Sequence, residues 1–147
     1  MHYCCLVFTR QDPADRHAVD SAMSPFNEED FYAADPEKRD PKIPFLFDFY
    51  GIGGGRRFNG VIAMEGETEE EAKKADRTSA PLREPLDAEY ILKRSFCYIA
   101  PDGKGYARSR FDYNLERWVS DPQYDRRGMK IFETEKDCYV TVVDIHD

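Results

Sequence analysis

The sequence predicts an α+β fold with a single sheet, in which the first and last strands are adjacent and central and the helices pack mainly on one face. Two observations give the strands: residues 3–9 form an apolar, β-rich run and residues 139–145 form a strongly β-branched one. Helix-forming patterns between these two runs predict the helices that would form the second layer. With 147 residues, the chain has an ordinary length for one domain, so we expect residues 1–147 to form a single unit.

The first helix is predicted by its cap and its apolar spacing. Asp12 and Pro13 suit the N-cap and first helical position, and Pro25 is expected to end the helix before it. The apolar stripe consists of Ala14, Ala18, Val19, Ala22 and Met23. Residues 27–44 are charged and proline-rich and contain Asp-Pro at 35–36 and 40–41, which predicts a loop crossing the surface.

The middle of the chain predicts further strands and helical turns. Residues 45–50 should form the second strand and residues 60–64 a strand that follows a glycine- and arginine-rich segment. Thr68 and Glu71 have the spacing of a capping box, which predicts a short exposed helix to about Ala75. Residues 86–92 are expected to add one or two helical turns.

The turn sequence Pro101-Asp102-Gly103-Lys104-Gly105 lies between two apolar runs. We therefore predict a β-hairpin from residues 96–100 and 106–111. We expect residues 115–119 to be helical and residues 121–128 to form a polar loop before the last strand.

Composition limits the classes of partner. The net charge of −8 argues against a general nucleic-acid or anionic-membrane surface, because both require positive potential. An acidic surface would instead suit a basic protein face. No apolar run approaches the length of a membrane span, and no secretory signal is evident. We expect a reduced, cytoplasmic protein, with Cys4 and Cys5 on opposite faces of a strand and therefore not sharing a metal; no metal or other cofactor is expected.

Residues 51–60 suggest an anion-binding loop. They hold five of the nine glycines and two adjacent arginines; glycine lets backbone approach a ligand, and arginine suits phosphate or carboxylate oxygens. The spacing matches neither a Walker A loop nor a dinucleotide-binding fingerprint, and a tight turn with solvated or paired arginines is the alternative. The candidate ligand-binding residues are Asp48, Tyr50, Gly53, Gly54, Gly55, Arg56, Arg57, Phe58 and Asn59.

Each of these residues has an expected role. The glycines would offer N–H groups, Arg56 or Arg57 would meet phosphate, and Tyr50 or Phe58 would flank a base. Asp48 would orient an arginine or accept a hydrogen bond from a sugar hydroxyl.

The histidines provide a second candidate site. Asp144 and His146 lie two residues apart on the last predicted strand and therefore project from the same face. Together with His2, they could serve as a general acid and base or hold a metal. The alternative is a terminal histidine paired with an acid at the surface.

Three segments resemble a group of small, mostly uncharacterised bacteriophage and prophage proteins. The matching residues are Pro25-Phe26-Asn27-Glu28, Phe47-Asp48-Phe49-Tyr50-Gly51-Ile52-Gly53-Gly54 with Arg57-Phe58-Asn59-Gly60, and Thr141-Val142-Val143-Asp144-Ile145-His146. The chain has two extra residues in the central pattern and Phe58 where the group usually has Trp; Arg57 is the preferred match to the group's arginine. The resemblance implies a phage origin and a location in the cytoplasm of the bacterial host.

By analogy of class, small phage proteins include sponges that sequester the nucleotide signals of host defences such as Thoeris or CBASS. The leading hypothesis is therefore binding and sequestration of a phosphorylated, nucleotide-derived small molecule, in which a homodimer is plausible. The alternatives are an enzyme that cleaves such a signal with Asp144 and His146, and an acidic protein that inhibits a host defence factor.

Overall fold

A computed structural model describes residues 1–40 and 43–147. They form a mixed α+β structure. The strands are β1 (His2–Thr9), β2 (Phe49–Ile52), β3 (Ser79–Pro81), β4 (Cys97–Ile99), β5 (Gly105–Ala107), β6 (Ser109–Asp112), β7 (Arg117–Ser120) and β8 (Tyr139–His146). The helices are α1 (Arg16–Met23), α2 (Glu28–Ala33), α3 (Glu69–Ala75), α4 (Ala88–Arg94) and α5 (Tyr124–Thr134), with 3₁₀ turns at Ser24–Phe26 and Pro36–Lys38.

The first and last strands form the centre of a six-stranded sheet, as predicted. β1 and β8 are antiparallel along their whole length, from His2 opposite His146 to Thr9 opposite Tyr139. On one side, β4 runs parallel to β1 and β5 is antiparallel to β4. On the other side, β2 and β3 each pair antiparallel with β8, along the edge of β8 that faces away from β1. β6 and β7 form a separate two-stranded sheet.

Alternation along β1 divides the core between the two faces of the sheet. Cys4 belongs to the cluster that contains buried residues of α4 and α5, whereas Cys5 belongs to the cluster that contains those of α1. The cysteines therefore lie on opposite faces, as predicted. Helices contribute to both clusters: the buried residues of α4 and α5 lie in one, and those of α1 lie in the other.

Local capping explains where two of the helices begin. The capping box of α3 is present, with Thr68 Oγ1 accepting from the Glu71 N–H at 3.1 Å and the Glu71 carboxylate accepting from the Thr68 N–H at 3.0 Å. α1 begins later than predicted, because Asp15 caps it by accepting from the His17 N–H. Asp12 instead accepts from the Ala14 N–H in the preceding turn.

Two predictions near residue 120 are wrong. Residues 115–119 are not helical but enter strand β7, because the Asp112 carboxylate accepts from two backbone N–H groups of the turn and Glu116 adopts a φ of +51°. Residues 121–128 are not all loop, since α5 begins at Tyr124. Burial of Tyr124, which is 1% exposed, stabilises this helix through tertiary packing.

The predicted strands around the glycine-rich segment also differ. β2 occupies residues 49–52 rather than 45–50, because the Phe47 backbone N–H donates to Phe26 O and its carbonyl accepts from the Glu28 N–H, so that it does not pair with β8. Residues 60–64 form no strand; Met64 makes one isolated bridge, to Leu86. The predicted loop 27–44 contains α2 and a 3₁₀ turn, while its residues 41 and 42, including the second Asp-Pro proline, lie outside the described residues.

Within residues 1–40 and 43–147, no helix combines the length and the apolar composition needed to cross a bilayer.

Candidate functional site

Two histidine–aspartate pairs lie side by side at one end of the sheet. His2 stands opposite His146 in the β1–β8 register, and Asp144 follows on the same face as His146. Asp48 immediately precedes β2, whose first residue, Phe49, stands opposite His146 on the other side. The antiparallel register therefore brings residues from both ends and the middle of the chain to one location.

The pairs have closely similar geometry. His2 Nδ1 lies 2.8 Å from Asp144 Oδ1, and His146 Nδ1 lies 2.8 Å from Asp48 Oδ1. The imidazole centroids are 4.9 Å apart, with the ring planes at 71°. The His2 and His146 side chains are 25% and 29% exposed. Both rings are thus held in place by neighbours yet remain open to solvent.

Each carboxylate determines which ring nitrogen is available. An ionised carboxylate only accepts hydrogen bonds, so Nδ1 of each ring carries a proton and donates it, leaving Nε2 for other partners. The hydrogen bond from His146 lowers the pKa of Asp48, and the backbone N–H of Phe49, 2.8 Å from its carboxylate, acts in the same direction. Asp48 consequently remains an acceptor at neutral pH.

An aromatic wall and an open position border the pairs. Phe49 stacks on His146 with centroids 4.4 Å apart and planes 11° apart, and it is 57% exposed. Gly51 stands opposite Asp144 in the β2–β8 register, and a Cβ added there would meet no heavy atom within 4 Å. Because opposed residues share a face, open space adjoins Asp144 next to the stacked rings.

The thiol next to the site is not activated. Cys4 stands opposite Asp144 in the β1–β8 register. Burial raises the pKa of the Cys4 thiol well above its usual range, with smaller contributions from Cys5 and Asp144. A nucleophilic thiolate at this position is therefore disfavoured.

The two Nε2 atoms could also ligate a metal, since carboxylates that orient histidine ligands are common around zinc. Among the described residues, however, the three ligating side chains that come within 4.8 Å of one another are Glu135, Asp137 and Cys138, away from the histidines. Arg10 contacts both of these carboxylates, at 3.3 Å each. Its positive charge already compensates that group.

The glycine- and arginine-rich segment is built mainly as a turn. The Gly53 N–H, expected to face a ligand, instead donates to Val142 O at 2.8 Å, because the segment begins as a continuation of β2 along β8. Gly54 is buried and its carbonyl accepts from the Phe58 N–H at 2.8 Å. A Cβ on Gly54 would lie 2.2 Å from Phe58 O, so this position requires glycine for a turn.

Beyond Gly54, this segment points outward. Gly55, Arg56 and Arg57 are exposed, and neither arginine forms an ion pair with any residue in the described part of the chain. Phe58 packs against the α4–α5 core cluster. Asn59 has a buried Oδ1 without a hydrogen-bond partner.

The remaining predicted residues have partners that the sequence did not reveal. Asp48, expected to orient an arginine or accept from a sugar, accepts from His146. The Tyr50 hydroxyl donates to Asp20, and burial followed by this hydrogen bond raises the pKa of Tyr50 to about 12. Because Tyr50 and Phe49 project from opposite faces of β2, Phe49 and not Tyr50 is the ring beside the histidines.

The structure therefore unites the second candidate site more fully than the first. It joins Asp144 and His146 with His2, as anticipated, and adds Asp48 from the first set and Phe49 from neither. Side chains alternate between the two faces of a strand, so a strand predicted to begin at residue 49 could have placed Phe49 on the face opposite to that of Tyr50.

A groove of about 830 Å³ lies away from the histidine–aspartate pairs, and its lining includes Phe26, Tyr106 and Arg110. None of the histidine–aspartate residues lines it.

Comparison of the chain with known protein families, with curated proteins and with solved structures finds no match.

Proposed function

We propose that the protein is an acid–base enzyme that cleaves a phosphate ester in a nucleotide-derived small molecule. The observation that supports this most strongly is the pair of imidazoles 4.9 Å apart, each held at Nδ1 by its own carboxylate. General acid–base cleavage needs one group to remove a proton and a second to supply one. Two neighbouring, oriented imidazoles provide both.

The proposed reaction is displacement at phosphorus. The neutral Nε2 of one histidine removes a proton from the attacking oxygen, of water or of a sugar hydroxyl, while that oxygen forms a bond to phosphorus. The protonated Nε2 of the other histidine gives its proton to the leaving oxygen as the second phosphorus–oxygen bond breaks. One proton is taken up and one is released, so the pair ends with its protonation states exchanged.

The carboxylates have a positioning and electrostatic role. Asp144 holds the Nδ1–H of His2 and Asp48 holds that of His146, so the Nε2 atom of each ring is left free for substrate. Each carboxylate also stabilises the imidazolium that forms on its partner. The reaction needs one neutral and one protonated ring at its start, because one histidine accepts a proton and the other donates one.

Nearby groups support a nucleotide-like substrate. Phe49 offers an exposed ring on which a base can stack, and the open position over Gly51 adjoins the Asp144 side of the pairs. Arg56 and Arg57 follow β2 within a few residues and are exposed without ion-pair partners in the described ranges, so they are available to phosphate. The phage resemblance makes a host immune signal in the bacterial cytoplasm the natural substrate class.

The test is product formation. Purified protein is incubated with cyclic dinucleotides and ADP-ribose derivatives, and the mixtures are separated by chromatography. Wild-type protein should cleave at least one of them, and His2→Ala or His146→Ala should lower the rate by about 10²–10⁴-fold. His17→Ala is the matched control, because His17 is exposed on α1 and contacts Ser21. Absence of cleavage, or full activity in both site variants, contradicts the proposal.

Sequestration without cleavage is the second candidate, and the two exposed arginines favour it. A sponge would return the ligand intact after denaturation, whereas the enzyme would return products. Binding would weaken in Arg56→Ala and Arg57→Ala and would persist in His146→Ala. Intact ligand with no product would replace the enzymatic proposal by this one.

A further inference from the structure

Residues 109–120 form an arm with an exposed aromatic face. β6 and β7 pair only with each other among the described strands. The described chain has seven exposed large apolar side chains, and four belong to this arm. They are Phe111 (38% exposed), Tyr113 (86%), Leu115 (55%) and Trp118 (59%). Such a concentration of exposed apolar side chains marks an interaction surface.

The rings pack on one another and not into the core. Phe111 stands opposite Trp118 in the hairpin register, with ring centroids 6.0 Å apart, and it lies 5.1 Å from the Tyr113 ring. None of these rings belongs to either core cluster. An isolated two-stranded hairpin is only marginally stable in water, so a covering partner would stabilise the arm.

The charges of the arm indicate what that partner is. Within residues 109–120, Arg110 and Arg117 balance Asp112 and Glu116, so the arm is neutral although the chain carries a net charge of −8. A strongly basic or strongly acidic partner would find no excess of opposite charge on the arm. A partner surface with the same mixture of apolar side chains and balanced charges would match it.

The order of residues in β6 is self-complementary. Arg110 and Asp112 flank Phe111 and lie on the same face of the strand. If a second β6 pairs antiparallel about Phe111, each Arg110 stands opposite Asp112 of the partner subunit and the two Phe111 rings meet. The outer edge of β6 pairs with no strand in the part of the chain that the structure describes, so its backbone groups are available for this pairing.

We infer that a second copy of this chain covers the arm through antiparallel β6 pairing, giving a four-stranded sheet with a continuous row of rings. With 150–250 Å² per aromatic ring, the exposed fractions of Phe111, Tyr113 and Trp118 amount to roughly 270–460 Å² of apolar surface per copy. A two-fold interface that covered these rings would bury roughly 550–900 Å² before Leu115 and polar atoms are added, which places it near the lower limit of about 1,000 Å² for a specific interface. This inference is independent of the proposed activity.

The test measures mass and tryptophan environment together. Light scattering should give twice the 17.1 kDa of one chain, and dilution should shift the emission of Trp118, the single tryptophan, to longer wavelength as the dimer dissociates. A monomeric wild type over the whole concentration range overturns the inference and leaves the arm for a different partner.

Charge reversal tests the register. Arg110→Asp should weaken self-association by about a hundredfold or more, because it places like charges opposite one another at both positions. Arg110→Lys keeps the positive charge opposite Asp112 of the partner subunit and should retain the dimer. Arg126→Asp is the control, since Arg126 is exposed on α5 outside the arm. With circular dichroism confirming that the variants are folded, an Arg110→Asp variant that dimerises like the wild type overturns the pairing.

Discussion

Replacing Asp144 by Asn should change which nitrogen of His2 carries the proton in the neutral ring. The wild-type carboxylate lies 2.8 Å from His2 Nδ1 and can only accept, so it stabilises the ring with the proton on Nδ1. An asparagine amide of the same shape can accept from a protonated Nδ1 or donate to an unprotonated one. The substitution therefore removes the preference while preserving the packing.

The magnitude follows from the hydrogen bond. A bond to a charged partner contributes about 1.5–3 kcal/mol, against about 0.5–1.5 kcal/mol for a neutral one. The His2 and Asp144 side chains are 25% and 18% exposed, which favours the lower end of the charged range. Since about 1.4 kcal/mol corresponds to a factor of ten, the Nδ1–H form of His2 should exceed the other by about tenfold in the wild type. In Asp144→Asn the two forms should be comparable.

Long-range proton–nitrogen NMR of protein labelled with nitrogen-15 histidine measures this directly, at a pH where the rings are neutral. The spectrum of His146, whose Asp48 partner is intact, and that of exposed His17 serve as internal controls and should not change. A wild-type His2 with its proton mainly on Nε2, or a His2 spectrum unchanged in Asp144→Asn, would refute the orientation argument.

Three stability predictions accompany this one. Gly54→Ala should lower the free energy of unfolding by about 1–3 kcal/mol, because its Cβ would lie 2.2 Å from a backbone oxygen. Gly51→Ala has nothing within 4 Å of its Cβ and should change the free energy of unfolding by no more than about 0.5 kcal/mol. Equal urea midpoints for the two variants would contradict this prediction. Leu92→Ala, at a side chain 1% exposed, should cost about 2–5 kcal/mol in the same assay, so a loss below 1 kcal/mol counts against the packing of α4 on α5. The pKa of Glu67 is lowered to about 2, chiefly by the hydrogen bond from Arg77; because the folded value lies below the ordinary 4.5, this contribution is complete above that pH and is lost as pH falls toward 2. Acid unfolding of Glu67→Gln should lack this component, and an identical pH profile would argue against it.

The central strands were predictable because their signals are local and strong. β1 and β8 are the two β-rich runs at the ends of the chain, and both form full-length strands in adjacent positions. The capping box of α3 was likewise readable, since Thr68 and Glu71 satisfy each other's backbone within one turn.

The arm and α5 were not predictable by the same means. Residues 115–119 have no strong strand pattern, and their conformation follows from the turn that Asp112 and the positive φ of Glu116 establish. α5 has no side-chain cap at its beginning. Its position depends on tertiary contacts instead, such as the Tyr124 hydroxyl, 2.6 Å from Ser95 Oγ.

The candidate site shows the same division. Asp144 and His146 could be placed on one face from their spacing alone, and this placement is confirmed by the structure. The bond between Asp48 and His146 joins residues 98 positions apart, and it depends on the register of β2 on β8, which no local pattern specifies. The backbone groups of the glycine-rich segment were predicted to bind a ligand. The Gly53 N–H instead donates to β8, and the Gly54 carbonyl accepts a hydrogen bond within the turn.

Cleavage by the paired imidazoles is measured by chromatography of a cyclic dinucleotide or ADP-ribose derivative after incubation with the wild-type protein or with the His2→Ala/His146→Ala double variant. We expect time-dependent products with the wild type and little or none with a double variant that is folded by circular dichroism. Quantitative recovery of every intact compound from the wild type, or equal turnover by the double variant, would contradict it.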